Sequence, residues 1–276
     1  MKKRRSIFWP LFFTALSVVW LYPLVLVVIN SFKKKAYISR QPFRLPDEKT
    51  FAALLNYEKG LQLTDFVQSF VNSVIITALS AALILLCTSM CAWFITRVRN
   101  RMTHTLYLLF LFSMVVPFQM VMFTLSKIAN LLSLNTPFTI PIIYLGFGAG
   151  LAVFMFTGFV KGSPIAVEES AMIDGCSPIR IFFHVVLPIL QPTCVSVGIL
   201  QVMWIWNDYL LPYLVLDLRR YKTIPIAVQY LRGGYGSVDM GAMMAMLVLA
   251  IIPVVGFYLV CQRYIVSGVM AGAVKG

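Results

Sequence analysis

Three of the chain's ten acidic residues, Glu168, Glu169 and Asp174, fall in one polar stretch, EESAMIDGCSPIRIFFHVVLPILQP, from Glu168 to Pro192. Gathered carboxylates are a first place to look for proton transfer or metal chemistry. Their company argues against both. The chain has only two histidines, His104 and His184, and no HExxH pair, zinc-type cysteine spacing or G-x-S-x-G elbow, so motif chemistry supplies neither a hydrolase nor a metal centre. There is no G-x-x-x-x-G-K-[ST] phosphate loop either: Gly146, Gly148 and Gly150 are followed by no lysine and read as helix-packing positions. Cys87 and Cys91 share a helical face and read as core residues. The expectation is a chain that is not an enzyme, with no catalytic residue, metal or cofactor of its own.

What the polar stretch does offer is mechanical. Ser163 and Pro164 suit an N-cap and first helical position, Gly175 a left-handed stop, and Ser177 with Pro178 the start of a second helix. At about 100° per residue, Ile165 and Met172 fall between Glu168 and Glu169, while Ala166, Val167, Ala171 and Ile173 carry apolar surface around most of the circumference. That pattern fits a helix gripped by a partner while leaning on its own bundle. Asp174 opposes the dipole at the helix's C-terminal end, so a compensating cation is expected, either Arg180 or a residue of another subunit. Spacing alone is equally satisfied by an interfacial amphipathic helix that connects two spans.

The elements that must position this stretch are apolar. With 60% hydrophobic and 12% charged residues, the chain is too apolar for a water-soluble domain. Six intervals lack any Asp, Glu, Lys or Arg: Ser6 to Phe32, Phe66 to Thr96, Met102 to Ser126, Ile128 to Val160, Ile181 to Asn207 and Met240 to Gln262. About 20 apolar residues cross a bilayer as helix, and none of these runs alternates like a barrel strand. The expected fold is therefore all-α: one polytopic bundle over residues 1–276 with six spans, at about 7–32, 67–96, 104–126, 137–160, 193–216 and 240–262, and a polar loop at 161–192. Lys2, Lys3, Arg4 and Arg5 precede the first run, which lacks an A-x-A-like cleavage site and reads as an uncleaved span. An even number of spans and the basic start place both termini in the cytoplasm. The net charge of +13 is that of basic residues flanking spans and meeting membrane lipid head groups; no soluble basic module for nucleic acid is present.

Glu169-Ser170-Ala171-x-x-Asp174-Gly175, followed by Phe183-x-x-x-Leu187-Pro188-x-x-x-Pro192, resembles the cytoplasmic EAA loop of importer permeases of the ATP-binding cassette superfamily. Asn30-Ser31-Phe32-Lys33, Phe70-x-Asn72-Ser73, Val116-Pro117, Trp206-Asn207-Asp208-Tyr209 and the terminal Gly272-Ala273-Val274-Lys275-Gly276 resemble, in order, the carbohydrate branch of that family. This branch includes the smaller membrane subunit of the maltose transporter and Gram-positive permeases for raffinose-like and multiple sugars. Ser170 and Cys176 stand where the family usually has alanine. The resemblance implies that the loop is a coupling helix seated in a cytoplasmic ATPase, with Ile165, Glu168, Glu169, Ala171, Met172, Asp174 and Gly175 as its contact residues. It also implies a second permease subunit as heterodimer partner, two ATPase subunits that hold the ATP and Mg, and an extracytoplasmic solute-binding protein.

Trp204, Trp206, Asn207, Asp208 and Tyr209 are expected along the translocation path, with Asp208 the one carboxylate placed inside a span. The competing reading makes Asn207 and Asp208 structural hydrogen-bonding groups near the outer end, with Trp and Tyr as interface anchors. The loop from Lys33 to Asp65 reads as a solvated external segment that either caps the bundle or touches the binding protein. In the loop from Asp217 to Asp239, Gly233, Gly234 and Tyr235 form a tight turn around one aromatic, and the resemblance to the maltose system implies contact with the docked binding protein. The expected cargo is a sugar, with a polyol or glycerol phosphate as the alternative; a channel, a membrane enzyme and a membrane scaffold fit the coupling-type loop less well.

Overall fold

A computed structural model of the chain describes residues 7–231 and 239–273. Helix follows helix throughout: α1 (Phe8–Ser31), α2 (Lys35–Ile38), α3 (Leu55–Thr64), α4 (Phe66–Arg97), α5 (Arg101–Val115), α6 (Phe118–Leu131), α7 (Pro141–Gly162), α8 (Ala166–Ile173), α9 (Pro178–Ile181), α10 (Leu187–Ile189), α11 (Gln191–Asn207), α12 (Leu210–Val215), α13 (Ile224–Tyr230) and α14 (Met240–Ala273). Among the described residues the sole β-type pairing is a bridge between Lys33 and Phe51. Four helices, α1, α4, α7 and α14, are long and apolar enough to cross a membrane, and two further crossings are available if each of two bent helix pairs counts as one.

Both bends have local causes. The third apolar stretch, expected as one helix over 104–126, breaks at Val116-Pro117, and α5 and α6 meet at 104°. Pro117 has no N–H to give and pushes Val116 out of helical geometry, to φ −73° and ψ 112°. The fifth stretch begins with a π turn over Phe182–Val186, where the Leu187 N–H reaches back to the Phe182 carbonyl. Pro188 lacks the N–H that would bond His184, so the extra residue of the π turn sits where an α-helical ladder would fail. A second bend of 78° separates this segment from α11. That helix stops at Asn207, whereas the sequence extended it to residue 216: Asp208 is extended, at φ −73° and ψ 123°, and α12 follows as a separate turn.

The chain forms two compact units, residues 1–67 with 227–255 and residues 68–226 with 256–276. In the first, α1 exposes nearly all of its apolar side chains, Trp9, Phe13 and Trp20 among them. The segment that follows is built rather than merely solvated. Lys33 is buried and donates from Nζ to Asn30 Oδ1 (3.1 Å) and to the Gln41 and Pro42 carbonyls (2.8 and 3.4 Å). Burial pushes its ammonium below the usual lysine range. Asn56 of α3 donates to the Ser31 and Lys33 carbonyls at 2.7 and 2.8 Å, and Lys59 pairs with Asp239 at the start of α14.

In the second unit, α7 lies in the core, with Tyr144, Ala152, Val153 and Phe156 fully buried among α4 and α11 residues such as Ile84 and Val197. Small residues permit this. A Cβ on Gly150 would come within 2.7 Å of Ser113 Oγ and 2.9 Å of the Phe110 carbonyl, so α5 and α7 approach there as only glycine allows.

Candidate functional site

The loop between α7 and α11 is fastened by one carboxylate. Glu168 is 3% exposed, although the sequence placed it among the partner contacts. It turns inward to the last turn of α4, where Arg97 donates from Nη2 to Oε1 at 2.6 Å and from Nε to Oε1 and Oε2 at 3.0 and 3.1 Å. Trp93 Nε1 donates to Oε2 at 2.8 Å. Trp93 and Arg97 are one helical turn apart and so present both donors from one face. The Arg97 Nη2 also reaches the Ser163 carbonyl at 3.3 Å. A guanidinium fork and an indole N–H together satisfy the buried carboxylate, which makes its burial tolerable. Neither Trp93 nor Arg97 was singled out as a site residue; the one available signal was an arginine ending a charge-free interval.

With Glu168 inward, most of the rest of α8 faces out. Ile165, Val167, Met172 and Ile173 are 50%, 44%, 54% and 86% exposed, and Ile179 continues the patch on α9. Glu169 and Asp174 are also exposed, and no described ion pair includes either; Arg180, one of the two cations expected for Asp174, stands in α9 and makes no described ion pair with it, which leaves the residue of another subunit. Ala171 and Cys176 pack on the core from the other side.

Gly175 ends α8 at φ +80°. Its N–H bonds the Met172 carbonyl and the Cys176 N–H bonds the Ala171 carbonyl, each at 3.0 Å, which is the paired closure of a Schellman stop. Ser177 then caps α9, accepting from the Arg180 N–H at 3.4 Å, with Pro178 at the first position. Ser163 does not cap α8: it ends α7, and α8 starts at Ala166 without a side-chain cap.

The Trp204–Tyr209 group lies near the opposite end of α7. Asp208 Oδ2 accepts from the Tyr144 hydroxyl at 3.0 Å, and Oδ1 accepts from the Leu210 and Leu211 N–H groups at 3.0 and 3.4 Å. Asp208 therefore holds the break between α11 and α12 and ties it to α7. Trp204 stands edge-on to Tyr144 and Trp206 edge-on to Phe70. Asn207 is exposed and donates to the Met203 carbonyl at 2.7 Å, and Tyr209 stacks on Tyr213. Two neighbours of Phe70 extend this network: Asn72 donates to the Lys222 carbonyl at 3.0 Å, and Ser73 Oγ accepts from the Ile224 N–H at 2.9 Å. No sequence signal marked Tyr144. Gly233, Gly234 and Tyr235 lie outside the described residues.

Comparison with known proteins gives this geometry its context. Residues 92–270 match the family described as binding-protein-dependent transport system inner membrane component. The chain belongs to that family. As a permease it is a transport component rather than an enzyme, and a multi-pass membrane protein. It is 37% identical over 260 residues to the probable starch degradation products transport system permease AmyC of Thermoanaerobacterium thermosulfurigenes, covering 94% of this chain and 93% of that one. It is 32% identical to the multiple sugar-binding transport system permease MsmG of Streptococcus mutans, over the full length of both. In fold, the permease is similar to a chain of a crystallised bacterial ABC transporter involved in alginate import, with a TM-score of 0.76 at 21% identity, covering 96% of this chain and 99% of that one.

Proposed function

We propose that this permease is one of two membrane subunits of an ATP-driven oligosaccharide importer, and that α8 is where the work of ATP hydrolysis enters it. The observation that carries the reading is the division of α8 into a buried anchor, Glu168 on Arg97 and Trp93, and an outward apolar face of Ile165, Val167, Met172 and Ile173. A helix fixed to its bundle by one side and presenting apolar surface on the other can pass a push from a partner into the spans. Glu168 is then a positioning residue, while Ile165, Met172 and the exposed Glu169 and Asp174 meet an ATPase subunit. Ala171 and Gly175 shape the helix between them.

The partners are a second permease, two cytoplasmic ATPases that bind ATP and Mg, and an extracytoplasmic solute-binding protein. Closure of the ATPases moves α8, and the permease pair switches between inward-facing and outward-facing states by rocking of packed helices. Six crossings serve this: α1, α4, the α5–α6 pair, α7, α11 with its leading segment, and α14. Both termini then lie in the cytoplasm. The ion pair supports the arrangement, since the C-terminal ends of the second and fourth crossings must lie on the same side for Arg97 to reach Glu168. Asn207 and the Trp204 and Trp206 rings border the path, Asp208 and Tyr209 support it, and the turn at Gly233, Gly234 and Tyr235 meets the binding protein. Sugar as cargo rests on relatives named for starch degradation products, multiple sugars and arabinooligosaccharides.

The test is reconstitution with the cognate partners. Met172→Asp should leave ATP hydrolysis running while sugar uptake falls to background; uptake at the unmodified rate would refute the coupling role. The cargo is tested separately by which ligand, oligosaccharide, polyol or glycerol phosphate, raises the melting temperature of the cognate binding protein.

A further inference from the structure

A cavity of about 490 Å³ opens between the turn joining α4 to α5 and the last turns of α7. Its rim carries Arg99, Arg101, His104 and Lys161, all exposed, and no carboxylate among the described residues lines it. None of these three fixed cations takes part in a described ion pair. On α8, the buried Glu168 has both oxygens occupied by Arg97 and Trp93. The Lys161 ammonium is held 5.2 Å above the Tyr107 ring, over the cavity wall. Ile95 and Tyr107 make part of the interior apolar.

One polar atom inside is unspent. Thr157, one helical turn before Lys161, lines the cavity at 1% exposure, and its hydroxyl has no hydrogen-bond partner among the described residues. Comparable buried hydroxyls on α4, Thr88 and Thr96, donate to the carbonyl four residues back at 2.6 and 2.7 Å. A buried hydroxyl left unmade costs about 1–3 kcal/mol, so its position in a cationic cavity asks for an acceptor.

We propose that this cavity is a binding site for the head group of an anionic phospholipid. The phosphodiester is taken by Arg99, Arg101 and Lys161, an ester or glycerol oxygen accepts from Thr157, and the first carbons beyond it lie against Ile95 and Tyr107. A concave cationic site with an apolar inner wall, at the ends of apolar helices, matches a charged head on an acyl-bearing body better than it matches a free inorganic anion. The proposed orientation enters only in naming the cytoplasmic leaflet as the source of the lipid; the site itself does not depend on coupling.

Native mass spectrometry of the purified full-length permease, in the intact complex, measures the site. With mixed phosphatidylglycerol and phosphatidylcholine, the unmodified protein should retain phosphatidylglycerol selectively. Arg99→Gln with Arg101→Gln should lower that retention about twenty-five-fold, from roughly fivefold per cation at the membrane surface. Thr157→Leu, which fills the cavity without touching a charge, should also lower it, and a melting temperature no lower than that of the unmodified protein would separate lost binding from lost folding. Equal retention of phosphatidylcholine, or phosphatidylglycerol retention unaffected by both variants, overturns the proposal. So does stabilisation by millimolar inorganic phosphate that matches stabilisation by the lipid, because the site would then take a free anion. Sugar uptake is not the readout, so failure here leaves the coupling role of α8 standing.

Discussion

Replacing Arg97 with alanine is the most direct probe of how α8 is held. The side chains of Arg97 and Glu168 are 16% and 4% exposed, so this pair is not screened in the manner of a surface ion pair. Arg97→Ala removes the guanidinium donors from Glu168 and the donor to the Ser163 carbonyl, leaving the Trp93 N–H as the carboxylate's side-chain donor. Stripping one partner from a buried pair costs about 3–5 kcal/mol. Because Arg97 keeps a path to water, the lower end applies, near 3 kcal/mol, or roughly a hundredfold in a local opening equilibrium. Amide hydrogen exchange over residues 166–173 should therefore speed up by about two orders of magnitude, while the buried centre of α7 stays protected. In proteoliposomes with the partner subunits, sugar transported per ATP hydrolysed should fall by at least tenfold. Arg97→Ala with Glu168→Ala should recover much of the exchange protection, since no unpaired charge is then buried. Unchanged exchange in the single variant would show that apolar packing of Ala171 and Cys176 holds the helix and that the ion pair is incidental.

Gly175→Val should also lower transport per ATP, because φ +80° costs a β-branched residue about 1–2 kcal/mol or more; with nothing within 4 Å of the would-be Cβ, Gly175→Asn should be tolerated, as an uptake assay would show. Gly150→Ala should destabilise by about 1–3 kcal/mol, through contact with Ser113 and the Phe110 carbonyl, whereas Gly158→Ala, which meets nothing within 4 Å, should not lower the melting temperature. Tyr144→Phe should cost about 1.5–3 kcal/mol in the same assay by removing the hydroxyl donor to Asp208. At Asp239, burial raises the carboxyl, but the Lys59 hydrogen bond, the Ala242 N–H and the charges of Lys59 and Lys35 outweigh it and hold the group below its ordinary value. A depressed carboxylate contributes stability above its unfolded pKa of about 3.9 and loses it as pH falls through the folded value. Asp239→Asn should thus be less stable than the unmodified protein at pH 7 and converge with it once the pH has fallen below the folded-state value, as thermal melts would record.

The sequence conveyed what depends on neighbours along the chain. Charge-free intervals marked the apolar stretches because ionised side chains are expensive in hydrocarbon, and Gly175 and Ser177 stand at the helix stop and start expected of them. Where local rules compete, the sequence did not decide. Ser163-Pro164 reads as a helix start, yet Ser163 ends α7. Pro117 could have kinked a continuous span, but it divides two helices. Pairings across distance were invisible: Glu168 finds Arg97 and Trp93, 71 and 75 residues away, and Asp208 finds Tyr144, 64 residues away. Hence one residue expected to face a partner is the residue that faces inward. The segment after α1 reads from its length and mixed charge as a solvated loop or as one that caps the bundle or touches the binding protein; periodicity carries no sign that Lys33 has main-chain oxygens within reach.

The cap made by Lys33 bears on the order in which the protein is made. Its three acceptors, Asn30 Oδ1 and the carbonyls of Gln41 and Pro42, lie within nine residues of it. A contact this local closes quickly and needs no other part of the chain. Once about a dozen residues have emerged beyond α1, the ammonium can be seated and the segment folded back over the helix end. Releasing that lysine would then mean breaking every one of those bonds. The end of α1 is in this way fastened by contacts of its own during synthesis, before any residue beyond Pro42 is needed.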